Sequence, residues 1–327
     1  MTNHSIELPL VEPLYSTYHN QGISSAVIHD NLSIENWFLN EIMQLSCNTD
    51  FLKGFTTPNL VVIDANYESN PHLEQIRIPF KHLAYYSNRI IKSFLRDRYF
   101  VVFYGLDDYY LPGKTWYREE HFPHDGLISG YDDIEKTYTL FAYDYSWIYR
   151  TFKVHFSDFD KSKRSMVSEG TDGYICAVRP FPFQPEFDPD VAKSNIQKYL
   201  TCTIDKHGPN NSNHVFGIIV HDYLKKYLDR LSDGNISIKS MDWRIFRLIW
   251  EHKKVMLRRL DAIKNDLHIS DTVCQQYFQA VKLSDDARMM YARYRIRPKN
   301  ELADMLKSKL DEITEIEKRT LTIMTER

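Results

Sequence analysis

His124 and Asp144 are the residues of this chain whose types and spacing could carry chemistry. Between them run Gly126-Leu-Ile-Ser-Gly-Tyr131, the polar stretch Asp132-Asp-Ile-Glu-Lys136, and Thr137-Tyr-Thr-Leu-Phe-Ala-Tyr143. Two β-prone runs around a polar turn predict a hairpin. Residues equally distant from Ile134 then lie opposite one another, which sets His124 across from Asp144. An imidazole held by a carboxylate can act as a general base, because the acid fixes the tautomer and stabilises the imidazolium formed during reaction. Strand alternation places Gly126, Ile128 and Gly130 on one face with Leu140 and Ala142, leaving room for another element to pack closely beside the pair. A nucleophile would have to come from an early helix N-terminus, where unpaired backbone N–H groups lower a thiol pKa and can hold an oxyanion.

Other clusters have plainer readings. His121-x-x-His124 has the types of a metal pair, but on a strand edge this spacing does not aim both rings the same way, and no third ligand is evident. No metal is expected. Gly126-x-x-x-Gly130 lies in a strand and makes no phosphate loop. Glu251-His252-Lys253 falls in the middle of a helix, where a structural histidine is the usual case. The four cysteines, Cys47, Cys176, Cys202 and Cys274, are far apart with no C-x-x-C, which argues against a zinc ribbon and a stapled secreted scaffold.

The elements that must position the dyad follow from periodicity. Ser33 followed by Ile34, Trp37, Phe38, Ile42 and Leu45 predicts a helix over 33–46. A second helix is predicted after Pro79 from the stripe Phe80, Leu83, Ala84, Ile91 and Leu95. Strands are predicted at 99–104, 149–156 and 173–178, beside the hairpin. The proline-rich segment 179–189 marks a boundary. Beyond it, helices are predicted over 189–203, 214–231, 242–268, 271–295 and 299–325, with bundle-type stripes such as Leu302, Leu306, Leu310 and Ile313. The fold class is therefore α+β: an N-terminal domain of residues 1–185 with an antiparallel sheet, then a helical domain of residues 186–327.

At 327 residues, 43% hydrophobic and 26% charged, the chain has the balance of a folded protein of about two domains. No apolar run approaches the roughly 20 residues that cross a bilayer, and the start lacks the basic and apolar regions of an export signal, so a cytoplasmic location is the expectation. A net charge of -3 gives no field to gather phosphate backbones, so nucleic acid is not an expected partner. The 22 Tyr and 18 Phe suggest amphipathic rings along a cleft or interface.

His124-Asp-Gly-Leu-Ile-Ser-Gly-Tyr-Asp-Asp133 followed by Leu140-Phe-Ala-Tyr-Asp144 resembles the His and Asp strands of papain-like cysteine peptidases of the bacteriocin-leader-processing type. Asn36-Trp-Phe-Leu-Asn40 with Ile42-Met-Gln-Leu45, and Arg244-x-Phe-x-Leu-x-Trp-Glu-His-Lys253 with Met256 and Arg259-Leu260, resemble butirosin biosynthesis protein H relatives found beside nonribosomal peptide and polyketide gene clusters. The resemblance spans roughly residues 11 to 265. It implies a papain-like N-terminal fold and an acyltransferase that takes an acyl group from the phosphopantetheine thioester of a carrier protein, through a cysteine thioester, to a small-molecule amine. No other cofactor is implied. His124 and Asp144 match the base and the orienting acid. The segment Tyr18-His-Asn-Gln-Gly-Ile-Ser-Ser-Ala-Val-Ile28, where that family places its cysteine, contains none.

Three resolutions stay open. Ser24 or Ser25 replaces the thiol, with Ser24 in the first turn of the helix; Cys47 reaches the site; or the chemistry is lost and the chain is an inactive binding or accessory protein of the assembly line. Ser24 is the expected nucleophile, and Gln21, Tyr110, Trp116, Tyr145 and Trp147 are the expected substrate-binding residues. A peptidase or amidase, with water in place of the amine, is a further reading of the same dyad.

Overall fold

A computed structural model of the chain describes residues 4–27, 34–54, 56–79, 82–83, 87–168, 173–183, 185–204 and 213–326. Along it run β1 (Ser5–Glu7), α1 (His19–Ala26), α2 (Glu35–Glu41), β2 (Leu45–Asn48), β3 (Leu60–Val62), β4 (Leu73–Pro79), α3 (Ser87–Arg96), β5 (Phe100–Asp107), β6 (Pro123–Asp132), β7 (Thr137–Tyr143), β8 (Tyr149–His155), α4 (Phe156–Ser168) and β9 (Tyr174–Pro180). They are followed by α5 (Pro189–Leu200), β10 (His214–Phe216), α6 (Val220–Ser232), α7 (Arg244–Ile263), α8 (Asp271–Ile296) and α9 (Asn300–Thr325). The chain divides into two compact units: Met1–Ile34 with Asn66–Gln184, and Glu35–Ala65 with Pro185–Arg327. The expected continuous domain of residues 1–185 is therefore corrected: residues 35–65 belong with the helices.

The first unit is built on a seven-stranded antiparallel sheet in the order β4-β9-β5-β6-β7-β8, with β1 also paired to β6. Its core gathers residues from these strands, consecutive ones included, among them Val101, Phe103, Leu127, Ile128, Leu140 and Ile175, with Ile23, Ile91 and Phe159 from the helices. The small-residue surface foreseen on β6 is used for close approach. A Cβ on Gly130 would sit 2.4 Å from the carbonyl oxygen of Ile6, so only glycine lets β1 pair there. A Cβ on Gly126 would meet Leu140 Cδ1 at 2.8 Å. Gly22 does the same for α1: the Tyr149 ring lies 3.1 Å from where its Cβ would be.

The second unit joins a small antiparallel sheet, β10-β2-β3, to α2 and α5 to α9. Here the sequence expectation over 33–46 needs correction: α2 ends at Glu41, and Leu45–Asn48 is a strand paired with both β3 and β10. The helix predicted over 214–231 likewise starts only at Val220, since His214–Phe216 is the edge strand β10. Part of the helix predicted after Pro79 lies outside the described residues; the described part is α3.

The end of α2 explains the residues quoted from α7. Arg259 is wholly buried and its guanidinium donates to the carbonyls of Phe38 (2.8 Å), Leu39 and Ile42 (2.9 Å). These are orphan acceptors at a helix C-terminus, and a cation is the partner the dipole favours there. His252 adds a bond between Nε2 and the Met43 carbonyl at 2.8 Å. Asn40 Oδ1 accepts from the Asp188 amide while its Nδ2 donates to the Glu186 carbonyl, and Asp188 in turn caps α5 through the amides of Asp190 and Val191. The family-like motifs around 36–45 and 244–260 thus meet, and what they do in this chain is hold α2.

Candidate active site

His124 stands near the start of β6, and β5 decides what it meets. The ladder between β5 and β6 pairs Phe103 with Gly126, then resumes at Leu106 with His124 and Asp107 with Pro123. The bulge between falls at Gly105, whose φ of 83° is a conformation suited to glycine. The shift delivers Asp107 and the following turn residue Asp108 to the end of β6. There His124 Nδ1–H donates to Asp108 Oδ2 at 2.9 Å. Asp108 is 1% exposed, so this carboxylate is an acceptor held in a low-dielectric pocket.

A second cation completes the group. Lys114, itself buried, places Nζ 3.4 Å from Asp108 Oδ1. Burial pulls the Lys114 ammonium pKa below its usual value, while Asp108 acts to raise it. The arrangement is a buried carboxylate shared by an imidazole and an ammonium. The His124 side chain keeps 23% of its surface exposed, and with Nδ1 engaged by Asp108 its Nε2 has no hydrogen-bond partner among the described residues. That is the tautomer and orientation of a general base.

Aromatic rings pack round the imidazole. The ring of His19, the first residue of α1, stacks on His124 with centroids 4.5 Å apart, and also meets Tyr143 at 4.9 Å and Tyr149 at 5.4 Å. Phe122 presents an edge to His124 at 5.2 Å, and Trp116 lies 5.9 Å from Phe122. Asp125, next along β6, accepts from the Gly105 amide at 3.1 Å, and burial raises its carboxyl pKa from 3.8 to about 6.

The expected orienting acid is corrected. The register that would carry His124 to Asp144 does hold at Leu127 with Phe141 and Ile128 with Leu140, but the β6–β7 ladder stops there. Asp144 instead closes the turn between β7 and β8: its Oδ1 accepts from the amides of Ser146 (2.8 Å) and Ile148 (3.0 Å), and its Oδ2 meets Arg150 Nε at 2.6 Å. An aspartate one residue past a strand has amides of its own turn within reach, and these outcompete a side chain across the ladder.

The expected nucleophile is displaced too. Ser24 is wholly buried on α1, in its second turn rather than its first, and its Oγ accepts from Asn70 Nδ2 at 3.2 Å. Ser25 Oγ donates to the Gln21 carbonyl and accepts from the Leu14 amide. Neither hydroxyl meets His124. Cys47 lies on β2 in the second unit, wholly buried, with its thiol pushed up to about 12 by burial. Cys176 is the one cysteine of the first unit, on β9 with Sγ 3.8 Å from Gln75 Oε1. Of the expected binding residues, Trp116 packs against Phe122, which meets His124, and Trp147 lies 6.3 Å from Tyr143, which meets His19. Gln21 is buried in α1. Tyr110 belongs to a separate group with Tyr109 and His121, and Tyr145 is 68% exposed.

Sequence reasoning missed Asp108, Lys114 and His19. A signal for the first was present. Asp107 and Asp108 stand at the end of one strand, and His121 and His124 just before the next; paired as a hairpin, they give two acid–imidazole couples. The second is His121 Nδ1 with Asp107 Oδ2 at 2.7 Å. So the histidines do not converge, and among the described residues no group of three or more His, Cys, Asp or Glu is placed to hold a metal ion. Nor is any described helix long and apolar enough to cross a membrane. The chain matches no protein-family model and no curated protein.

Proposed function

We propose that the first unit, read as papain-like, is an acyl-transfer site in which His124 is the general base, Asp108 its orienting acid and Lys114 the buried amine that lies against that acid's other oxygen. The substrates in this reading are a carrier-protein phosphopantetheine thioester and a small amine, in the assembly of a nonribosomal peptide or polyketide product. The observation that carries it is the His124–Asp108–Lys114 relay, with Nε2 left for a substrate. Amine attack on a thioester needs a proton acceptor and good positioning, but no protein nucleophile. His124 Nε2 takes the amine proton as the N–C bond forms; the C–S bond breaks, and the proton passes to the departing thiolate. Amide and free thiol result. The transfer is direct, which removes the need for Ser24.

The test uses an acyl-N-acetylcysteamine thioester and an amine, measuring amide and thiol together with the intact protein mass. Turnover that falls about 10² to 10⁴-fold in His124→Gln, with no acyl adduct on the parent protein, is the expected result. Turnover unchanged in that variant rejects the assignment, and an adduct on Ser24 rejects the direct route.

A second reading, a non-catalytic carrier-binding protein, is favoured by the burial of Ser24 and its bond to Asn70. It predicts carrier-protein affinity unchanged by Ser24→Ala and no acyl release from any variant.

A further inference from the structure

The α8–α9 pair in the second unit leaves a groove of about 980 Å³ near the turn at Arg297-Pro298. Met289, Met290, Ile296, Leu302 and Met305 line it. Three of these are well outside the core: Met289 is 61% exposed, Ile296 78% and Met305 50%. The same stretch of α8 buries Ala287, Tyr291 and Tyr294 on its inner side, while Met289 and Ile296 leave apolar surface exposed outside the core. Large apolar side chains exposed together in one groove mark a surface that is covered in use, and methionine is the side chain that best adapts to a covering surface. The groove also carries charge. Its lining includes Arg293, Arg297, Lys299 and Lys309 against one acid, Asp286. Lys309 is matched by Asp286 at 3.2 Å, while Arg293, Arg297 and Lys299 have no carboxylate within ion-pair distance among the described residues. Three uncompensated cations beside an apolar channel, on a chain of net charge -3, make a local field that calls for an anion.

We propose that this groove docks an acidic amphipathic helix of a partner protein. Apolar residues spaced i, i+3, i+4 and i+7 would enter between Met289 and Met305, and flanking carboxylates would meet Arg293, Arg297 and Lys299. The concave channel between two helices favours a third helix, which interdigitates its side chains there, over a flat anionic bilayer, which cannot enter a groove.

The test titrates the full chain, with ¹³C-labelled methionine methyls, against a synthetic helix of about five turns carrying leucine at those four spacings and glutamate on its flanks. A matched peptide has lysine for glutamate. Expected are micromolar binding of the acidic peptide, shifts of the Met289, Met290 and Met305 methyls, and affinity at least about tenfold lower for the lysine peptide. Arg297→Glu with Lys299→Glu, both at exposed positions, should weaken the acidic peptide by a similar factor, and added salt should do so in the parent. Equal affinity for the two peptides, unmoved methyls, or an affinity indifferent to the charge reversal would overturn the proposal. Cosedimentation with phosphatidylserine vesicles without peptide binding would overturn it in favour of a membrane surface.

Discussion

In the first unit a buried carboxylate, Asp108, lies between His124 and Lys114, and one member of the set keeps a nitrogen toward the outside. In the second unit Glu317 is also a buried carboxylate between partners. Its Oε2 accepts from Lys253 (2.8 Å) and Tyr199 (2.9 Å), its Oε1 from Tyr277 (2.6 Å), and Lys253 also donates to Tyr199 Oη at 3.0 Å. All four residues are 0% exposed. The residue types are nearly the same, and the difference is access. A network whose charges are all enclosed can hold helices together but has no atom to offer a substrate, whereas a relay that ends on a part-exposed imidazole can exchange a proton with whatever binds beside it.

The sharpest way to break this comparison is to remove one partner from the closed network. Lys253→Met leaves Glu317 buried without its cation, and a loss of about 3–5 kcal/mol in unfolding free energy is expected, read by denaturant titration. Lys253→Met with Glu317→Leu should recover most of that, because two apolar groups replace two desolvated charges. A lone Lys253→Met as stable as the parent would mean that the pair is not structural.

In the open relay the largest effect should fall on rate rather than stability. Asp108→Asn replaces the carboxylate by an amide whose N–H can face Nδ1 and favour the other His124 tautomer, and thioester aminolysis should drop about 10² to 10⁴-fold, while Asp144→Asn stays within about threefold of the parent. The reverse order would restore Asp144 as the orienting acid.

How far this was legible depends on the range of the interactions involved. The hairpin of β6 and β7 and the helices α7, α8 and α9 were readable because turn chemistry and apolar periodicity are local. Their expected ranges lie close to the observed Thr137–Tyr143, Arg244–Ile263, Asp271–Ile296 and Asn300–Thr325. The strand at Leu45–Asn48 was not, since its apolar residues continue the stripe of α2 and only pairing with β3 and β10 makes them extended. The short strands β1 and β3, together with β4 and α4, were also missed; α4 is too polar for its stripe to stand out. The site shows the same division. His124 was readable from its place on a predicted strand, but its acid is chosen by a bulge at Gly105, and a one-residue shift in a ladder changes which side chain arrives. Lys114 comes from an irregular loop and has no periodic signal at all.

Asp125 offers a smaller test, by pH. Its folded pKa of about 6 lies above the ordinary 3.8, so the folded chain binds this proton more tightly than the unfolded one. Its contribution to stability is fully present below pH 3.8, is lost as pH rises through about 6, and is unfavourable above. Asp125→Asn keeps an oxygen for the Gly105 amide and removes the buried charge. A gain of roughly 2 kcal/mol at pH 7 is expected once partial exposure is discounted, shrinking toward zero at pH 4. A gain independent of pH would show that the carboxyl is solvated in the fold.

The smallest effect is the one expected of Cys47, and it separates the units most directly. A thiol acts through its thiolate, and Cys47 has its pKa pushed up to about 12 by burial on the central strand of the small sheet. At pH 8 it should stay unalkylated by iodoacetamide in the folded protein, while the part-exposed Cys202 is labelled, and peptide mapping in denaturant should find both modified. Cys47→Ala should leave thioester aminolysis within about twofold of the parent, since no step of direct transfer uses it. Rapid labelling of Cys47 in the folded chain, protected by an acyl thioester, would place a usable nucleophile in the unit that holds the enclosed Glu317 network. The relay at His124 would then serve some other purpose than sparing the protein a covalent intermediate.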